Sequence, residues 1–344
     1  MTALTAHDTH AAKRARALAH PNIALIKYWG KAADLRDNEP AVSSLSITLD
    51  TLVTDTELCF APDLTSDQLV LNGRQADEKL PRISRNLDRL RTLSGCPWHC
   101  RINSTNNFPT AAGLASSASG FAALVEAGNA ALELQLDFRQ KSMLARAMSG
   151  SAARSVGGGF VKIYLPHGRE AEPGFGRTFA ETVAEPSHWP LEICVAIVSE
   201  AEKAVGSTDG MELSRHTSPY YPAWLEGNDR DVLEAEQAVL ARDFEKLSEL
   251  AEFSCLKMHA MAMASRPGLL YWQGATMAAM QRVRELRRDG VPVFFTVDAG
   301  PQVKAVCAPG YGERVAQALA ELDGVQRVLR CGLGQGARGE ALRD

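Results

Sequence analysis

The sequence predicts an α+β protein built as two domains. Three observations point there. Strand-like alternation and helix-like spacing are interleaved along the chain; a stretch rich in proline, glycine and charge, PHGREAEPGFGRTFAETVAEPSHWP, separates two such halves; and 344 residues exceed what one hydrophobic core usually encloses. The boundaries read as a disordered tail over 1–18, an N-terminal domain over 19–189 and a C-terminal domain over 190–344.

MTALTAHDTHAAKRARALAH carries Lys13, Arg14 and Arg16 with a single acid and reads as a tail in preference to a transit peptide. NIALIKYWG and SLSITLDTLVTDTELCF then alternate apolar and polar residues as strands do, on either side of a polar loop around KAADLRDNEP. In PRISRNLDRLRTLSG, Ile83, Leu87, Leu90 and Leu93 share one helical face, and CRINS is a further short strand. SASGFAALVEAGNAALEL spaces alanine and leucine as a helix, which puts Ser116 and Ser117 at or near its N-terminus. Free N–H groups and the helix macrodipole favour phosphate there, and Gly113 lets the preceding backbone approach closely. A second helix around FRQKSMLARAMSG runs into the serine and glycine turn of SGSAARSVGGGFVKIYL, which feeds a strand. The second half opens with the buried-strand pattern LEICVAIVSE, continues through helices around 231–264 and 271–289, and returns to strand at VPVFFTVDAG.

Composition narrows the function classes. A formal net charge of -4 does not propose nucleic acid as a partner, so a bound anion has to be held locally. The seven cysteines are odd in number and lack the paired spacings of a zinc site or a disulfide framework; Cys96 and Cys100 bracket His99, but no second ligand pair follows. They suggest a reducing compartment. No apolar run approaches the ~20 residues a bilayer span needs and no secretory signal is readable, so the expected location is the cytoplasm, with no membrane partner.

Among phosphate motifs, GxxxxGK[ST] is absent. Gly334, Gly336 and Gly339 do spell GxGxxG in GLGQGARG, but the chain ends before the helix and acid that motif requires, which leaves a C-terminal turn. The eight histidines form neither HExxH nor a readable triad, and His216 and His259 read as packing or surface residues. PTAAGLASSASG fits two readings, a flexible connector or a phosphate loop into the following helix. Asp298, before a Gly-Pro turn, is either a turn cap or an active-site acid; Lys27 and Lys31 are either solvated lysines on an edge strand or ligand contacts.

Four separated blocks, NIALIKYWGK, NNFPTAAGLASSASGFAAL, SGSAARSVGGGF and FTVDAGPQV, supported by EKAVGSTDGM and YWQGATMAAMQRVRELR, resemble the diphosphomevalonate decarboxylases of the GHMP kinase superfamily. The resemblance implies a two-domain GHMP kinase fold, the first domain like ribosomal protein S5 domain 2 and the second ferredoxin-like, with the active site in the cleft between them. It also implies ATP, Mg2+ and a homodimer. The implied reaction converts mevalonate 5-diphosphate into isopentenyl diphosphate with release of ADP, phosphate and CO2.

By the same resemblance Asp298 is the catalytic aspartate facing the substrate's C3 hydroxyl, Lys27 pairs with it, and Arg154 holds the substrate carboxylate with Ser149 and Ser151. Tyr28 and Lys31 contact the diphosphate; Thr208 stands where some relatives have arginine, which leaves its contact open. Ser104, Asn106, Pro109, Gly113, Leu114, Ser116, Ser117 and Lys203 form the ATP site, with Ser116 the candidate contact to a metal otherwise carried on ATP phosphates. Ala153 replaces a frequent cysteine, and GLGQGARG departs from more proline-rich relatives. Two related activities stay open, decarboxylation of mevalonate 5-phosphate and C3 phosphorylation without decarboxylation. A catalytically silent nucleotide or metabolite sensor is the alternative of another class, and the retention of Lys27, Arg154 and Asp298 argues against it.

Overall fold

The first strand is β1 (Lys13–Ala19), in a computed structural model that describes residues 11–32, 36–108, 116–165, 172–201 and 203–343. The expected disordered tail over 1–18 is therefore corrected, since residues 13–18 belong to a sheet. Ala15, Ala17 and Ala19 are buried on one face of β1, while Arg14 and Arg16 on the other donate to Glu57 and Asp55 at 2.8 Å. Alanine is so weak an apolar signal that a period of two written in Ala and Arg reads as a charged tail.

The first half continues through β2 (Asn22–Ile26), β3 (Ser44–Thr48), β4 (Thr54–Ala61), β5 (Gln68–Leu71), β6 (Arg74–Gln75), α1 (Leu80–Ser94), β7 (His99–Asn106), α2 (Ser116–Ala131), α3 (Phe138–Met148), α4 (Ala152–Ser155), β8 (Phe160–Ile163) and β9 (Ala180–Ala184). Local sequence explains the boundaries. Pro81 sits in the first turn of α1, and Gly95 ends that helix in the left-handed region at φ 69°. Asp137 and Gln140 form a reciprocal capping box at the start of α3. The second half holds β10 (Glu192–Ile197), α5 (Ser207–Thr217), α6 (Tyr221–Ala241), α7 (Phe244–Met263), α8 (Gly274–Arg288), β11 (Val293–Val297), β12 (Val303–Cys307), α9 (Gly312–Ala320), β13 (Arg327–Cys331) and β14 (Arg338–Leu342). The helical stretch expected around 231–264 is two helices, broken where Arg242 turns left-handed at φ 56°.

Three sheets organise these elements, in the orders β14-β1-β4-β7-β5-β6, β2-β3-β8-β9 and β11-β12-β10-β13. The alanine-rich face of α2 packs on the first sheet and forms one core with Leu58, Phe60 and Ile102. The third sheet is covered on both faces, which is why β11 and β12 are buried at every position. On one face Val293, Phe295 and Val297 meet α8 and α9; on the other Ile193, Val195 and Phe294 share a core with Ile23 and Leu45 of the second sheet and with α6 and α7. That shared core locks the two halves together and fixes the ends of β2 and β11 close to one another.

The last strand returns to the first sheet, pairing β14 with β1 antiparallel from Arg14 opposite Leu342 to Leu18 opposite Arg338. Residues 338–342 thus lie with the first half rather than with the rest of 190–344. The glycines of GLGQGARG permit this return, because a Cβ on Gly339 would come within 2.6 Å of the Glu126 carbonyl of α2. Among the described residues no helix is long and apolar enough to cross a membrane.

Candidate active site

A cleft of about 970 Å³ runs between the halves. Lys27, Tyr28, Lys31, Ser104, Asn106, Ser116, Ser117, Ser149, Ser151, Arg154, Lys203, Thr208 and Asp298, every predicted site residue within the described range, line it together. Pro109, Gly113 and Leu114 lie outside the described residues. Separation along the chain is thus replaced by convergence on one space.

At its centre Asp298, just past β11, is held on both oxygens. Oδ1 accepts from Lys27 Nζ at 2.6 Å, and Oδ2 lies 3.1 Å from Lys304 Nζ. Both lysines are 1% exposed, whereas the Asp298 side chain is 25% exposed and so opens toward the cleft. Burial pushes the Asp298 pKa up, but the two ammonium groups outweigh it and hold the carboxyl far below the usual carboxylate range. Asp298 is therefore ionised and a weak base, suited to accept a hydrogen bond and orient a hydroxyl.

Arg154 of α4 is 2% exposed. Its Nη1 donates to Ser44 Oγ at 2.7 Å and its Nε to Ser46 Oγ at 3.0 Å, from the alternating serines of β3. Nε also reaches Asn22 Oδ1 at 3.3 Å, and Asn22 is itself tied to the Ser151 carbonyl and the Ser155 hydroxyl. Burial pulls the Arg154 pKa down to about 10, which leaves it cationic at neutral pH. Among the described residues no carboxylate lies within ion-pair distance of Arg154, Lys31 or Lys203. Buried cations without counter-ions are costly unless a ligand supplies the negative charge.

Ser116 and Ser117 begin α2, and with Ser104 and Asn106 of β7 they line the cleft with hydroxyl, amide and helix N–H donors suited to phosphate. Lys203 Nζ is positioned by Ser207 Oγ at 2.8 Å and the Ala299 carbonyl at 3.1 Å, and burial lowers its pKa. Tyr28, also lining the cleft, has a buried hydroxyl with no hydrogen-bond partner among the described residues, and burial raises its pKa. Lys31 and Arg82 bring two further cations; burial lowers the pKa of each. An unsatisfied phenol in a cleft that Lys31, Arg82 and Arg154 also line fits a phosphorylated ligand. Among the described residues no three His, Cys, Asp or Glu side chains are grouped to hold a metal. Mg2+ fits as an ion carried on the phosphates of a bound nucleotide.

Lys304, Arg82 and Asn22 were not apparent from sequence reasoning. Lys304 has a signal, a lysine inside the buried strand VKAVC. Arg82 reads as an ordinary residue on the polar side of α1, and only the fold turns it toward the cleft, where its guanidinium lies 5.0 Å from the Phe121 ring centre. His259 is a packing residue as expected: 1% exposed, it donates from Nε2 to the Val297 carbonyl at 3.1 Å. The seven cysteines are free thiols, six of them buried.

The two-domain α+β architecture is that of a GHMP-type fold, as its likeness to solved mevalonate diphosphate decarboxylases shows. The Diphosphomevalonate decarboxylase-like N-terminal domain matches residues 19–171 and the Mevalonate 5-diphosphate decarboxylase C-terminal domain matches 193–326. The chain is 37% identical to the diphosphomevalonate decarboxylase of Candida albicans, over 81% of this chain and 80% of that one. It is 32% identical to the phosphomevalonate decarboxylase of Haloferax volcanii, over 90% and 92%. A solved structure described as MDDEF in complex with MVAPP, AMPPCP and magnesium superposes with a TM-score of 0.87 at 36% identity, over 97% of this chain and 100% of that one. The chain belongs to the diphosphomevalonate decarboxylase family.

Proposed function

We propose that the protein catalyses ATP-dependent decarboxylation of mevalonate 5-diphosphate to isopentenyl diphosphate, releasing ADP, phosphate and CO2. The observation that carries this reading is the presence in one cleft of a clamped, ionised Asp298 and a buried Arg154 that has no carboxylate within ion-pair distance among the described residues. The reaction needs one anion to orient a hydroxyl and one cation to hold a carboxylate.

Asp298 accepts a hydrogen bond from the tertiary C3 hydroxyl and directs its oxygen at the γ-phosphorus of ATP. As the C3 oxygen bonds to the γ-phosphorus, the bond from that phosphorus to the β,γ-bridging oxygen breaks, ADP departs with its electrons, the hydroxyl proton is released to solvent, and the resulting C3 phosphate is a far better leaving group than the hydroxyl. Phosphate then departs with the C3–O electrons while the C1–C2 bond breaks, its electrons forming the C2–C3 double bond as C1 leaves as CO2. Arg154 holds the C1 carboxylate with Ser149 and Ser151. Its contacts to Ser44, Ser46 and Asn22 keep the guanidinium in place, so it aligns the breaking bond without following the charge that drains away. Lys27 balances the charge on Asp298, Lys203 and the α2 serines hold the ATP phosphates, and Tyr28 and Lys31 hold the 5-diphosphate. Mg2+, carried on the ATP phosphates, supplies charge neutralisation.

The test is release of CO2 and ADP by purified protein with ATP and Mg2+, comparing mevalonate, its 5-phosphate and its 5-diphosphate. Equal release of both products with the diphosphate supports the proposal. Preference for the monophosphate shifts the assignment to the activity named for the Haloferax relative, with Thr208 in place of a cation as the first residue to examine; ADP without CO2 makes the protein a kinase, and silence with all three overturns the proposal and reopens the sensor reading. We further propose a homodimer, supported by the family resemblance, and a cytoplasmic location, supported by seven cysteines without the spacings of a disulfide framework.

A further inference from the structure

Lys304 occupies the middle of β12, where every neighbour in the strand is apolar and buried. Its register explains its reach. β11 and β12 pair antiparallel with Thr296 opposite Lys304, so Lys304 projects on the same sheet face as Thr296 and as Asp298 two residues on. Thr296 Oγ1 donates to the Ala24 carbonyl at 3.1 Å, and Lys27 Nζ donates to that same carbonyl at 2.8 Å. One backbone carbonyl therefore ties the middle of β2 to β11, and two lysines from opposite halves of the molecule meet on one carboxylate.

A carboxylate held by one ammonium turns about its χ2 bond. One held on both oxygens does not. Lys304 does not line the cleft and is 1% exposed, so its effect on substrate is indirect, and its ion pair with Asp298 is the route the geometry gives. Packing alone gives no reason for a lysine here, since an apolar side chain would fill a buried strand position without the cost of a desolvated charge.

We infer that Lys304 is a positioning residue for the proposed phosphoryl transfer: it fixes Asp298 Oδ2 so that the carboxylate, already held at Oδ1 by Lys27, presents a free lone pair to the C3 hydroxyl. The inference rests on the reaction proposed above. No bond to Lys304 forms or breaks, and its proton stays on Nζ throughout.

Lys304→Gln and Lys304→Arg test it, each assayed for CO2 and ADP release with mevalonate 5-diphosphate, ATP and Mg2+. In the glutamine variant kcat is expected to fall roughly ten- to hundredfold, as misplacement of a reacting group does, while KM for both substrates stays within about threefold. The arginine variant, which restores the cation, is expected to recover most of kcat. Wild-type kcat in Lys304→Gln overturns the inference, as does a loss of kcat that arginine leaves unrepaired in a folded, ATP-binding protein, because the role is then packing. Should Lys304→Gln fail to fold, Lys304→Arg decides alone on the same criterion. A silent wild-type protein removes the proposed reaction and this inference with it, whereas an active wild type beside an unaffected Lys304→Gln removes only the role of Lys304.

Discussion

The phenol of Tyr28 occupies the space that a Cβ on Gly150 would fill, its Cζ lying 2.6 Å from that position. A glycine between Ser149 and Ser151 thus sets how deeply Tyr28 enters the cleft. Gly150→Ala is expected to displace the ring, raise KM for the phosphorylated acid about tenfold and leave KM for ATP within about twofold. Steady-state kinetics with each substrate varied in turn checks this; equal changes in both constants point to a general disturbance of the cleft.

Asp298→Asn keeps the shape but removes the charge that Lys27 and Lys304 share. Turnover is expected to fall by about two orders of magnitude or more while ATP binding, followed by calorimetry, persists. Leaving two ammonium groups without their carboxylate also lowers stability, on the order of 2 kcal/mol, since the Asp298 side chain is already 25% exposed. Unchanged turnover would take Asp298 out of the mechanism.

Arg154→Lys retains a cation but not the fork that spans Ser44, Ser46 and Asn22. The expected outcome is a drop in kcat/KM of about ten- to hundredfold in CO2 release. Added guanidinium ion restoring part of the lost activity would point to a missing fork rather than a misfolded site.

His259 makes stability depend on pH. Burial holds its pKa at about 3, so the folded protein keeps the imidazole neutral where the unfolded chain, titrating at about 6.5, takes up a proton. Between those values the unfolded state binds more protons, and this histidine's contribution makes stability fall as pH falls, by up to about 1.4 kcal/mol per pH unit. Urea melts from pH 7 to 4 are expected to show that slope, and His259→Gln to flatten it; an identical slope in the variant would assign the effect to other groups.

Much of this was legible in the chain. The helix periodicity of α1 and α8, the buried run of β11 and the serines at the head of α2 are local patterns, and each sits where its own residues dictate. Asp298, Lys27 and Arg154 were found through their motifs. Lys304 was not, because its meaning depends on strand register, which brings it diagonally across a hairpin to Asp298. Arg82 needed the placement of a whole helix. β1 was missed for an energetic reason: its alanines bury little area each, and the strand is held by pairing on both edges, with β4 and β14, rather than by its own side chains.

That double pairing has a consequence for synthesis. The first sheet needs residues 13–19 and 338–342 side by side, so it stays open along one edge of β1 until nearly all of the described chain has left the ribosome. At about 5–20 residues per second, the newborn N-terminal strand waits many seconds with unpaired backbone groups. Such an interval favours chaperone occupancy of the nascent chain and makes premature truncation near residue 330 a route to aggregation rather than to a smaller working lobe.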